Sequence, residues 1–201
     1  MLVSCPRSKI EDLQSLCRKA METSSITANE CERLLGKMES VRPSTNLAAL
    51  HYRPIQRQLL VLKSSWGEGN RFPNQVIELS EGSLLCLEWW ISPSGFQNLS
   101  SSPVRELVPS LEIWTDANLE MCGAHSSRGS FYQRPSSPEE LSQDLHINLL
   151  ELRAAREGLA NLASPGDRVR LYVDSTTALF YIRKQGGTRS LALANEAFSL
   201  W

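Results

Sequence analysis

The stretch INLLELRAAREGLANLASPGDRVRLYVDSTTALFYI, residues 147–182, decides the fold. Its first half repeats apolar residues at helical spacing and predicts a helix over 147–163, stopped by Ser164, Pro165 and Gly166. Residues 168–173 have strand character, and residues 175–185 return to a helical pattern with Gly186 and Gly187 as C-caps. A strand pattern at 111–116 precedes all of this. Strand, helix and strand in that order predict a crossover between two parallel strands.

Working outward, residues 121–125 and 129–133 read as two further short strands joined by a turn at 126–128. Residues 134–144 read as a loop, and Ser190 opens a last helix reaching Trp201. The order β-β-β-α-β-α-α predicts an α/β fold whose mixed sheet combines an antiparallel meander with a parallel crossover. Before residue 92 the pattern is mainly helical. Helices are expected at 8–22, at 27–39 behind a Thr27/Glu30 capping box, and at 46–65. Pro54 should kink or restart the last of these and push Arg53 away from helical geometry. A short strand at 76–79 and a Ser80-capped helix through Trp89 and Trp90 follow. The adjacent tryptophans read as core packing rather than a base-stacking platform. Pro93, Gly95, the 100–102 serine run, Pro103 and Pro109 mark a linker at 93–110 between a helical region at 1–92 and an α/β region at 111–201.

With 201 residues and 41% hydrophobic content, the chain can bury one large or two small cores. A net charge of −1 gives no bulk attraction to polyanions, but two local stretches are basic. Residues 40–67 contain no acid and carry Arg42, Arg53, Arg57 and Lys63; residues 168–189 set Arg168, Arg170, Arg183, Lys184 and Arg189 against Asp174 alone. Such patches suit phosphate contact or simply a solvated surface. Five scattered cysteines without a CxxC pair argue against a disulfide framework and a zinc site. No apolar run is long enough to cross a membrane, and residues 1–20 lack an apolar signal core, so an intracellular location, nucleus or cytoplasm, is expected.

Three acidic residues stand out. Asp116 and Asp174 each end a strand, where turn formation or helix capping is an ordinary role for aspartate. Glu151 is different. Ala154, Ala155, Gly158 and Leu162 share its helix face, so that face points at the sheet. A buried glutamate needs a partner. The carboxyl ends of parallel strands form the crevice where ligands bind in α/β sheets. Three carboxylates gathered there would repel one another unless a cation neutralised them, and hard oxygen donors favour Mg²⁺ or Mn²⁺.

TDAN at 115–118, HINLLEL at 146–152 and VDSTTALFYIRKQGGTRS at 173–190 together resemble the ribonuclease H domain of reverse transcriptases, most closely those of DIRS-type retroelements that use a tyrosine recombinase. A looser resemblance over 25–90, through LLGKMES, LHYRPIQRQLL and LEWW, is to thumb and connection regions. No polymerase motif with paired aspartates is present. The resemblance implies a ribonuclease H-like sheet and two-metal hydrolysis of the RNA strand of RNA–DNA hybrids, with Mg²⁺ or Mn²⁺ as cofactor. By position, Asp116 matches an aspartate that bridges both ions, while Glu151 and Asp174 match holders of the second. Asn148, Ser175 and Thr176 match positions against the bound strand. Arg53, Arg57, Lys184 and Arg189 are expected to contact nucleic acid through the basic patches.

The chain also departs from that pattern. The resemblance implies a fourth acid after a further strand, and the chain stops at Trp201 before one; Glu196 is a poor substitute by position. Met121 and Cys122 stand where the resemblance often implies Gly-Trp, and Pro135 and Ser136 lie near the place of an expected tryptophan. Activity impaired relative to the intact parent is therefore expected. A non-catalytic, possibly host-retained remnant that binds nucleic acid or serves as scaffold is the alternative. A strand-transfer enzyme of the same broad fold ranks below both, because no suitable acid follows Asp174.

Overall fold

The computed structural model describes residues 2–3, 5–45, 47–67, 69, 71–93, 102–103, 108–142 and 145–201. The chain divides into two compact units, Met1–Arg105 and Glu106–Trp201. Most of the expected linker at 93–110 lies outside the described residues, although Ser102–Pro103 within it forms a short strand.

The first unit is mainly helical. Helix α1 (Arg7–Thr23), α2 (Ala28–Val41), α3 (Arg53–Ser64) and α4 (Glu81–Ile91) are joined by two short antiparallel ribbons. One ribbon pairs β1 (Leu2–Val3) with β4 (Ser102–Pro103), and the other pairs β2 (Ser25–Thr27) with β3 (Val76–Glu78). The Thr27 capping box is present: its hydroxyl accepts from the Glu30 N–H while the Glu30 side chain accepts from the Thr27 N–H. The helix expected over 46–65 is a turn at 47–52 followed by α3. Arg53 is not excluded from helical geometry but opens α3. Pro54 sits in the first turn, where its missing N–H has no intrahelical acceptor to disappoint. Trp90 is fully buried with Leu13, Leu34, Met38, Ile55 and Leu87, and its indole N–H donates to the His51 carbonyl. Trp89 stacks on the His51 ring at 3.9 Å. Both tryptophans therefore belong to the packing of this unit.

The second unit is mixed α/β. Its four-stranded sheet has the order β7-β6-β5-β8, built from β5 (Leu111–Ala117), β6 (Met121–Ser126), β7 (Phe131–Pro135) and β8 (Val169–Val173). The first three strands are an antiparallel meander, and β5 pairs β8 in parallel with Thr115 opposite Val173. The crossover helix α6 (Ile147–Leu162) covers one face of the sheet, and α7 (Thr176–Arg183) and α8 (Leu191–Leu200) pack beside it. Two expectations are corrected. The strand expected at 129–133 is β7 at 131–135, and residues 134–144 are not simply a loop, because Arg134 and Pro135 belong to β7 and Pro138–Ser142 forms a short helix, α5. Ser137 and Glu140 form its reciprocal cap: the Glu140 N–H donates to the Ser137 hydroxyl and the Ser137 N–H to the Glu140 carboxylate.

Alternation along β5 sends Leu111, Ile113, Thr115 and Ala117 toward α6, where all are buried. Gly158 sets how closely α6 approaches. A Cβ there would stand 2.8 Å from the Ala124 Cβ and 3.0 Å from the Thr115 Cγ2, both on strands that cannot easily retreat. Glu151 lies two turns earlier on the same helix face, so this contact also fixes its height above the sheet. Gly158→Ala should destabilise the second unit by about 1–3 kcal/mol despite alanine's better helix propensity. Adding Ala124→Gly, which removes the nearest clashing atom, should recover part of that loss in chemical denaturation; full stability of the single variant would refute the close-approach argument.

Candidate metal centre

Parallel pairing places Asp116, near the end of β5, beside Asp174, the residue after β8. Both are exposed, and Glu151 rises between them from the second turn of α6 with only 5% of its surface accessible. One oxygen from each of the three carboxylates lies within 4.8 Å of the other two. The ordinary explanations for the aspartates fail. The cap of α7 is Ser175, whose hydroxyl accepts from the Ala178 N–H, so Asp174 is not the capping residue. The turn after β5 belongs to Asn118, whose side-chain oxygen accepts from the N–H groups of Glu120 and Met121.

Glu151 is half-satisfied. Its Oε1 accepts from the Ala117 N–H at 3.3 Å, while its buried Oε2 lacks a hydrogen-bond donor. Burial, followed by the charge of Asp174, pushes its carboxyl up to about 7, with Asp116 adding to the effect and the Ala117 N–H opposing it. A contact between Glu151 and Asp174 becomes a hydrogen bond only when one of them carries a proton. An orphaned buried oxygen facing two more carboxylates fits a hard divalent cation, and the all-oxygen donor set suits Mg²⁺ or Mn²⁺ better than zinc.

The surroundings are neutral or open. Gly123 is the cross-strand neighbour of Asp116, so no side chain crowds the carboxylate from β6. Along the same exposed face, the Trp114 ring stacks between Tyr172 at 4.9 Å and His125 at 5.0 Å. Asn148, in the first turn of α6, accepts from the Ser175 hydroxyl at 3.3 Å. Thr176 is exposed at the start of α7, and Lys184 and Arg189 are exposed with no ion pair among the described residues.

Other expected contacts lie elsewhere. Arg53 and Arg57 are half-buried on α3 of the first unit, and an Arg53 Nη1 donates to Gln56 at 2.6 Å. In that same basic stretch Arg42 pairs with Glu39 and Lys63 with Glu32, so acids outside it offset part of its charge. Glu196 does not join the carboxylate cluster. It is held by Arg156 at 2.5 Å and Arg153 at 3.3 Å.

Those arginines belong to a network that sequence reading missed. Arg134 bonds Glu140 and Glu157, each at 2.7 Å, and Arg153 bridges Glu140 to Glu196. Hydrogen bonds from Arg134 hold Glu140 well below the usual carboxylate range. The available signal was the Ser137-Pro138-Glu139-Glu140 cap, which places Glu140 on a helix. No protein-family model and no curated protein matches the chain.

The raised Glu151 carboxyl has a definite sign in stability. Its folded value, about 7, lies above the unfolded value near 4.3, so its contribution is complete below about pH 4 and is lost as pH rises through 7. The full loss corresponds to about 4 kcal/mol. Without divalent cation, the parent should therefore lose stability relative to Glu151→Gln between pH 5 and pH 8, and saturating Mn²⁺ should offset that loss at pH 8. Parallel pH profiles of the two proteins in denaturant titrations would contradict this account.

Proposed function

We propose that the second unit is a divalent-cation-dependent nuclease domain of the ribonuclease H type, acting on the RNA strand of RNA–DNA hybrids. The observation that carries this reading is the carboxylate cluster with its buried, donorless Glu151 oxygen. The sheet order, the parallel β5/β8 pair and the crossover helix are compatible with a ribonuclease H-like fold. The motifs at 115–118, 146–152 and 173–190 support a parent protein that is a reverse transcriptase of a DIRS-type retroelement, with the first unit as its thumb and connection region. On this reading the protein works inside the cell, in the nucleus or cytoplasm. Among the described residues no helix is long and apolar enough to cross a membrane.

Asp116, Glu151 and Asp174 would hold Mg²⁺ or Mn²⁺. Bound cations supply a water nucleophile and offset charge on the nonbridging phosphate oxygens. The chain's other residues bind and orient. Asn148, Ser175 and Thr176 stand beside the carboxylates, where 2′-hydroxyls would distinguish RNA from DNA. Lys184 and Arg189 offer phosphate contacts, and Arg53 and Arg57 are separate candidates for such contacts within the first unit. Among the described residues the cluster has three carboxylates, and Glu196 is engaged by arginines instead of joining it. That observation favours reduced turnover in this chain. It also supports the second reading, a remnant that binds nucleic acid or serves as scaffold without hydrolysis.

A labelled hybrid separates the two. On the nuclease reading, Mg²⁺ or Mn²⁺ strengthens hybrid binding, cleavage is slow or absent, and Asp116→Asn removes both the cation dependence and any cleavage. Hybrid binding unaffected by cation and by Asp116→Asn would overturn the nuclease reading in favour of the remnant. Cleavage that survives Asp116→Asn would place the activity outside this cluster.

A further inference from the structure

Ionised carboxylates this close repel one another, so the cluster must be held together by something other than charge when no cation is bound. Two neutral hydrogen-bonded clasps stand where that restraint is needed, one on each side of Glu151.

The first lies on the β5–β6 side. The Asn118 Oδ1 accepts from the N–H of Glu120 at 2.8 Å and of Met121 at 2.7 Å. Its own N–H donates to the Met121 carbonyl at 2.8 Å. These three bonds pin the backbone one residue after Ala117, the donor to Glu151, and two residues after Asp116. The second clasp lies between α6 and α7. The Ser175 hydroxyl oxygen accepts from the Ala178 N–H at 3.1 Å, which leaves its proton free to be given elsewhere. That proton goes to the Asn148 Oδ1 at 3.3 Å. Ser175 directly follows Asp174, and Asn148 lies three residues before Glu151 on the same helix. The bond thus ties the strand end that carries Asp174 to the helix that carries Glu151.

We propose that Asn118 and the Asn148–Ser175 pair are positioning residues that hold Asp116, Glu151 and Asp174 at cation-binding separation. This inference rests on the cation reading given above. It gives Asn148 and Ser175 a role that operates before any nucleic acid arrives, and it gives the Asn118 side chain a purpose beyond closing a hairpin. Neutral clasps suit the task, because a cationic clasp would compete with the divalent ion for the same carboxylates.

The test is Mn²⁺ binding to the full chain by calorimetric titration, well below the melting temperature of every variant. Asn118→Ala and Asn148→Ala should each weaken Mn²⁺ binding by about three- to tenfold, the equivalent of one hydrogen bond. The double variant should approach the product of the two, because the clasps act on different neighbours of Glu151. Asn118→Asp, which keeps the accepting oxygen, and Ser175→Thr, which keeps the hydroxyl, should bind at least nearly as well as the parent. A merely structural role would lower melting temperatures without this pattern of rescue. Parent-like Mn²⁺ affinity in both alanine variants would overturn the proposal alone. A parent chain that binds no Mn²⁺, or binds it as well after Asp116→Asn, would overturn the cation reading and the proposal together.

Discussion

The close seat of α6 on the sheet at Gly158 is the constraint on which the second unit depends. A helix can approach a sheet this closely only where a side chain is missing, and Gly158 supplies that gap against Ala124 and Thr115. The face around it, with Ala154 and Ala155, is small and buried, so α6 is held in both height and rotation. Glu151 shares that face. Its burial follows from the seating of a helix whose apolar residues are packed for their own reasons, and its charged end is carried to the strand ends as a consequence. A helix held further off would leave Glu151 solvated and unremarkable.

That one helix carries two opposite electrostatic solutions. Arg153, Arg156 and Glu157 sit in a network with Arg134, Glu140 and Glu196 in which each charge meets an opposite charge. Such a network, once satisfied, fixes the positions of α5, α6 and α8 and demands nothing further. Around Glu151, among the described residues, no comparable arginine is found, and two more carboxylates and a backbone N–H face it. The chain has cations within reach of this helix and spends them elsewhere. The contrast between an unsatisfied acidic cluster and a fully satisfied ionic one on the same helix is what the proposed cation site rests on.

Much of the architecture was legible in the chain. Strand and helix periods gave the meander, the crossover and the inward face of Glu151, because residues sharing a face of a regular element are set by fixed geometry. The Thr27 and Ser80 caps were legible for the same local reason. Helix α5 was overlooked, although Ser137 and Glu140 carry a local signal for it. The start of α3 at Arg53 was misread, since a preference against helix before proline yields where the Ala49 carbonyl of the preceding turn accepts from the Arg53 N–H. The two-residue pairing of β1 with β4 joins segments far apart in the chain and has no local signature.

The sequence by itself determined which residues could take part: three acids on elements whose periods direct them to one end of a parallel pair, and the glycine that lets those elements meet. Only the tertiary structure decided which alternatives to discard. Ser175 takes the capping role open to Asp174, Asn118 takes the turn open to Asp116, and arginines on α6 take Glu196. Each of these is a contest between side chains for one hydrogen-bonding partner. Its outcome depends on distances of a few tenths of an ångström that no spacing rule encodes, and it leaves Asp116, Glu151 and Asp174 facing one another.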